Sequence, residues 1–272
     1  MPKALVIRAA GTNCDQEMVR AFTLAGAETE LVHLDRAIER PEMVGEFDLL
    51  GFPGGFSYGD DVASGRIYAM RMRERLWPAL RDAAGRGCPM IAACNGFQIL
   101  VQSGLLPGPS GAGQWPEEPP EQETSLAHNA GGRFIDRWVG VRTDPASVCI
   151  WTRGLEAEFS GGEASEAMML PIAHGEGRFV VKSPEVLARL QQAGQVALRY
   201  GREDNPNGST DDIAGICDAT GRIFGLMPHP ERYLDWTRHP FWTRLPEGVR
   251  RGETPGLRMF RNAVAAVAEV RV

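Results

Sequence analysis

Residues 89–100, Pro89-Met90-Ile91-Ala92-Ala93-Cys94-Asn95-Gly96-Phe97-Gln98-Ile99-Leu100, leave this chain few ways to fold. An apolar run ends in a cysteine, and Phe97, Leu100, Val101 and Leu105 then follow at helical spacing. A strand must turn into a helix within a residue or two, with Cys94 at the turn. A strand with no polar alternation is buried on both faces, as in a parallel sheet covered by helices. At such a turn the thiol sits at a helix N-terminus, where the dipole favours the thiolate, the attacking species. Gly96 leaves room for a strained backbone and a closely approaching ligand. On its own, a cysteine closing a strand reads as a buried structural residue. The downstream stretch changes that reading: a second apolar run, 223–227, ends in Pro228-His229-Pro230-Glu231, an acid-base pair at another strand end.

The rest of the chain fits the same architecture. Residues 4–10 are apolar and β-prone, and Gly11-Thr12-Asn13-Cys14-Asp15 interrupts them. Residues 15–25 have Met18, Phe22 and Leu24 at helical spacing, and Gly26 stands where a C-terminal cap belongs. Further strands are expected over 30–34, 47–52 and 196–200, between 132 and 151, and as a hairpin over 213–218 and 222–227. Helices are expected over 67–85, 185–192 and 257–270. The expected fold is α/β, a mostly parallel twisted sheet with helices on both faces, in a single domain over 1–272. Residues 107–127, rich in Pro, Gly and Glu, read as an exposed insertion. Residues 235–255 read as an irregular extension. Sheets of this kind bind ligands beyond the carboxyl ends of their strands. The loops at Gly11, Pro53 and Cys94 therefore matter most.

Composition excludes several classes of function. The net charge of -6 gives none of the basic footprint that nucleic acid demands. No apolar run approaches the roughly 18 residues of a membrane helix, and residues 1–7 lack a cleavable signal layout. The 5 cysteines show no metal-ligand spacing, so no metal is expected and the cytoplasm is the expected compartment. No phosphate loop or dinucleotide fingerprint occurs, so nothing here is expected to bind ATP.

Cys94, His229 and Glu231 are the three types needed for thiol acyl transfer. His229 would take the thiol proton and return it to the leaving group, while Glu231 orients the imidazole. Pro230 stiffens the turn between the two. An oxyanion hole is expected from the backbone N–H groups of Gly55 and Asn95, since Gly54 and Gly55 follow a strand directly. The same loop holds a G-x-S-x-G pattern at Gly55, Ser57 and Gly59, which raises a serine hydrolase as a rival. That elbow requires its serine to open a helix at once, and helical spacing is not convincing before about Arg66. His174, at the end of another expected strand, reads either as a structural histidine or as a ligand-positioning one.

These residues carry a resemblance. Ala93 to Leu100 with His229-Pro230-Glu231 resembles the triad type of glutamine amidotransferase domain, the flavodoxin-like class I family. Gly11 to Asp15, Pro53 to Asp60, Pro171 to Arg178 and Gly225 to Arg232 narrow it to the family of glutaminase subunits of phosphoribosylformylglycinamidine synthases. The resemblance covers residues 3 to about 234. It implies that Cys94 attacks the side-chain amide of glutamine and that water hydrolyses the resulting thioester. It implies that Gln98, His174, Gly175 and Glu176 help hold the glutamine. It implies a synthetase partner that carries ATP and magnesium and receives ammonia for purine biosynthesis, with room for a small bridging subunit. The insertion and the extension depart from the compact family pattern. Two other classes compete: a free-standing Cys-dependent γ-glutamyl hydrolase, and a non-catalytic relative of the same fold. The complete set of Cys94, His229 and Glu231 argues against the second.

Overall fold

Strand β1 (Lys3–Arg8) shows how the layers form. Its residues alternate between two cores, Leu5 and Ile7 on one face and Ala4 and Val6 on the other, and all four are fully buried. The chain is seen in a computed structural model that describes residues 1–110, 114–159, 162–201 and 204–270. The further strands are β2 (Glu28–His33), β3 (Leu49–Phe52), β4 (Met90–Ala93), β5 (Thr124–Ala127) and β6 (Ile135–Thr143). They continue with β7 (Met169–His174), β8 (Arg178–Val181), β9 (Val196–Tyr200), β10 (Ile213–Cys217) and β11 (Ile223–Leu226). Nine of these form one sheet in the order β2-β1-β3-β4-β11-β10-β9-β6-β7. The strands from β2 to β11 in that order are parallel; from β11 onward the pairings are antiparallel. Strands β5 and β8 make a separate antiparallel pair.

Helices cover both faces. They are α1 (Asp15–Ala25), α2 (Leu34–Glu39), α3 (Arg66–Arg75), α4 (Trp77–Gly85), α5 (Asn95–Ser103), α6 (Leu155–Phe159), α7 (Pro184–Gln192), α8 (Glu247–Arg250) and α9 (Pro255–Val270). Residues of α2, α3, α4, α5 and α7 fill the core on one side; those of α1, α6 and α9 fill the other. Helix α1 ends as its sequence demands, with Gly26 left-handed at φ 101 and its N–H on the carbonyls of Phe22 and Thr23. The aromatic rings of Phe22 and Phe260 meet edge to face at 5.1 Å, joining α1 to α9. Among the described residues, no helix is long and apolar enough to cross a membrane.

Two expectations need correcting. The single helix expected over 67–85 is two, α3 and α4, with a break at Leu76. Pro78 has no N–H to offer the carbonyl of Glu74, and its ring would crowd that carbonyl. The stretch 107–127, expected as an exposed insertion, is a strap on the surface that ends in β5, paired with β8; residues 111–113 lie outside the described residues. Trp115 packs on Trp77 at 6.2 Å between ring centres, and Trp77 Nε1 donates to the Pro116 carbonyl. Arg73 reaches the carbonyls of Gln102, Ser103, Pro119 and Pro120, tying the strap to the last turn of α5. Composition marked this stretch as loop, but it could not show where two indole rings would meet. Residues 235–255 hold two single turns, Trp236–Arg238 and Trp242–Arg244, and the short α8. His239 fastens them by packing on Tyr233 and bonding the Glu166 carbonyl at 3.0 Å.

Candidate active site

The parallel half of the sheet delivers the site, because the loops after β1, β3, β4 and β11 all leave the same edge. At the end of β4, Cys94 adopts φ 51 and ψ -110, a left-handed conformation rare outside glycine. Such strain costs about 1–3 kcal/mol and persists only where neighbours enforce it. Here the Cys94 N–H bonds the Leu226 carbonyl of β11 at 2.8 Å, and α5 begins at the next residue. Gly96 is required at this turn, because a Cβ there would lie 2.0 Å from the Phe52 carbonyl oxygen. Cys94 is 5% exposed, and its Sγ lies 3.6 Å from the Ala173 carbonyl of β7.

His229 follows β11, and its N–H bonds the Pro171 carbonyl at 2.9 Å. Its Nδ1 lies 2.6 Å from Glu231 Oε1, and both side chains are buried. Burial alone would lower the His229 pKa. The charges of Glu231 and Cys94, with hydrogen bonds to Cys14 and Cys94, outweigh it and hold the imidazole well above its ordinary 6.5. The three residues expected to act together therefore converge on one point. Gly54 fits between them: a Cβ on it would come within 2.6 Å of His229 Cε1 and 3.3 Å of Cys94 Cβ.

The Gly54 carbonyl accepts from the N–H groups of Asn13 at 3.3 Å and Cys14 at 3.2 Å. Since the peptide is trans, the Gly55 N–H points away from α1. Asn95 supplies one of the first N–H groups of α5, which have no partner within the helix. Ser57, by contrast, opens a single turn, Ser57–Asp60, that runs into left-handed Tyr58 and Gly59 rather than a helix. The serine elbow is not formed.

The residues expected to hold substrate gather beside Cys94. Asn95 Nδ2 bonds Gln98 Oε1 at 2.9 Å, and Gln98 Nε2 bonds the Glu176 carbonyl at 2.5 Å. Gly175 accepts from Asn129 N–H at 2.9 Å. His174 is 3% exposed, and its Nδ1 lies 3.1 Å from Asn129 Oδ1. The Asn129 amide nitrogen already donates to the carbonyls of Arg133 and His174, so Oδ1 is the acceptor and the His174 proton sits on Nδ1. The Nε2 atom is buried without a hydrogen-bond partner. Burial, with the positive charge of His229, pushes the His174 pKa down to about 4, against a smaller opposing backbone bond.

Four residues had no assigned role in the sequence. Cys14, before α1, accepts from Arg232 Nη2 at 3.0 Å. Cys14, His229 and Glu231 each bring a donor atom within 4.8 Å of the others, as a metal site would. The Arg232 guanidinium on the sulfur and the imidazole on the carboxylate already occupy that space, which makes it a charge network. Asp60 bonds the Asn95 side chain, and Asn129 bonds His174 and the Gly177 N–H. Glycine-rich motifs framed Cys14, Asp60 and Arg232 in the sequence; nothing marked Asn129.

The chain is similar along its length to known proteins. Residues 1–267 match the CobB/CobQ-like glutamine amidotransferase domain. The phosphoribosylformylglycinamidine synthase subunit PurQ of Dehalococcoides mccartyi is 40% identical over 273 residues, covering 98% of each chain. The subunit of that name from Archaeoglobus fulgidus is 38% identical over 279 residues, covering 96% of each. A solved chain from the structure of PurLQS from Thermotoga maritima aligns at TM-score 0.68 and 31% identity, covering 97% of this chain and 98% of that one.

Proposed function

The chain belongs to the family of phosphoribosylformylglycinamidine synthase PurQ subunits, and from that premise we propose that Cys94, His229 and Glu231 carry out its glutaminase reaction. The observation that carries this reading is the convergence of the three side chains at the ends of β4 and β11. With the thiol proton already held by His229, Cys94 Sγ attacks the side-chain amide carbon of glutamine. The negative oxygen of the tetrahedral intermediate is met by the N–H groups of Gly55 and Asn95; losing one such donor typically costs about 10²–10³ in rate. His229 returns the proton to the leaving nitrogen, releasing ammonia and a glutamyl thioester. Water, deprotonated by the same imidazole, hydrolyses the thioester to glutamate and restores the thiol. Glu231 fixes the ring and stabilises its charged form throughout.

Ammonia passes to the synthetase subunit, which binds ATP with magnesium and makes the C–N bond of the purine precursor. The work is divided between chains in the cytoplasm. The deciding experiment is Cys94→Ala in the assembled complex. Glutamine-dependent synthesis should vanish while synthesis from added ammonium survives. Loss of both in a complex that still assembles would overturn the division.

A further inference from the structure

Beside the nucleophile turn stands a carboxylate that the reaction above does not use. Asp60 ends the turn after β3, in a left-handed conformation with φ 53. Its Oδ1 accepts from Asn95 Nδ2 at 3.2 Å and its Oδ2 from the Ser64 hydroxyl at 3.0 Å. Asn95 is the residue after the nucleophile, and the same amide nitrogen holds Gln98. Asp60 is therefore held to the side chain of the residue that follows Cys94, yet it remains partly exposed.

A second acid lies across from it. Glu176 Oε2 accepts from the Ser64 N–H at 3.4 Å. Among the described residues, no lysine or arginine forms an ion pair with either carboxylate; Glu176 has only the exposed His128, at 4.0 Å. Burial pushes the Asp60 carboxyl above its ordinary 3.8; the hydrogen bonds from Ser64, Gly65 and Asn95 oppose this, and the Glu176 charge adds to it. Nearby, Ser57 gives its N–H to the other end of the Asn95 amide. Its hydroxyl is buried, at 2% exposure for the residue, and has no protein partner. Around the Asn95 side chain there are thus two acids without a lysine or arginine partner among the described residues.

The substrate supplies what is missing. In glutamine, three C–C bonds and one C–N bond separate the attacked amide carbon from the α-ammonium, a reach of about 5 Å. Asp60, bonded to the side chain of the residue that follows Cys94, is a carboxylate that a cation held at about that reach from the nucleophile could meet. We propose that Asp60 recognises the α-ammonium of glutamine and so makes the site specific for an amino acid over a simple carboxamide. Glu176 lends the second negative charge. This rests on the glutaminase reading of Cys94.

Glutaramate, which is glutamine without its α-amino group, is the probe. The assembled complex is assayed for ammonia release from glutamine and from glutaramate, as wild type, Asp60→Asn and Asp60→Glu. A charge-assisted hydrogen bond is worth about 10- to 100-fold, so the wild type should favour glutamine by at least that factor. Asp60→Asn should lower kcat/KM for glutamine about 10- to 100-fold, mostly through KM, and close the gap between the two substrates. Asp60→Glu should restore part of the preference. If Asp60→Asn slows both substrates by the same factor, Asp60 only props Asn95 and the proposal is wrong. The wild-type glutamine arm tests the glutaminase reading separately, because that reading fails only if no ammonia is released there.

Discussion

Two histidines stand at two strand ends near Cys94, and they are tuned in opposite directions. His229, after β11, and His174, ending β7, are 2% and 3% exposed, so burial presses on both alike. What differs is the group facing Nδ1. For His229 it is the Glu231 carboxylate; for His174 it is the Asn129 amide oxygen. The carboxylate, with the Cys94 charge and the bonds to Cys14 and Cys94, overcomes the loss of solvent and holds His229 well above 6.5, whereas the Asn129 amide brings no charge and His174 falls to about 4. One ring is built to hold a proton and the other to stay neutral. The charge on His229 also helps keep His174 neutral.

Exchanging the partners tests this contrast. Glu231→Gln gives His229 an amide, and glutaminase kcat should fall about 10³- to 10⁴-fold with the fold intact by circular dichroism. The pH profile of Cys94 alkylation should move to higher pH. An unaltered kcat and profile would reduce Glu231 to a structural residue. The glycines beside the two rings come next. A Cβ on Gly54 would lie 2.6 Å from His229 Cε1, and one on Gly177 would lie 2.2 Å from His174 Nδ1. Both Gly54→Ala and Gly177→Ala displace a ring, but only the first displaces the ring we propose as the base. Gly54→Ala should cost about 10²-fold in kcat, the usual penalty for misplacement near 1 Å, and Gly177→Ala should act mainly on KM. Equal losses in kcat would erase the distinction between the two rings.

The smaller effects concern proton binding. Asn129→Asp gives His174 a carboxylate, and its NMR-measured pKa should rise from about 4. A fixed value would mean that burial alone sets it. Stability should show the contrast as opposite slopes. His174 is depressed in the fold, so its contribution is complete above pH 6.5 and is lost as pH falls toward 4, about 3 kcal/mol in all. His229 is raised, so its contribution is complete below 6.5 and is lost as pH climbs through its folded value. Urea unfolding of wild type and His174→Gln from pH 7 to 4 should show the variant with the shallower acid-side loss. Parallel curves would reject the assignment.

Much of one histidine's setting could be read from the sequence and little of the other's. Cys94, His229 and Glu231 each follow an apolar run within a few residues, so local pattern places them at strand ends. The Gly26 cap and the start of α1 were legible for the same reason. Asn129 is different, because its partners come from the loop after β7 and no nearby pattern marks it. Cys14 meets Arg232 only because β1 and β11 end at one edge of the sheet. The break at Leu76 was visible in Pro78, but the arginine-rich helical spacing on either side concealed it. The antiparallel strands β6, β7 and β9 gave no sign of their direction, since pairing depends on connections that buried apolar runs do not encode.

The position of β11 sets when the enzyme becomes reactive. It is the final strand of the sequence to enter the sheet, yet it lies at the centre, bonded to β4 on one side and β10 on the other. Before it inserts, β4 has an open edge, the Cys94 N–H lacks the Leu226 carbonyl, and no imidazole stands near the sulfur. The longest-range pairings form late because their closing entropy must be met first. The native site therefore depends on the strand whose pairing with β4 spans the longest stretch of sequence between parallel neighbours.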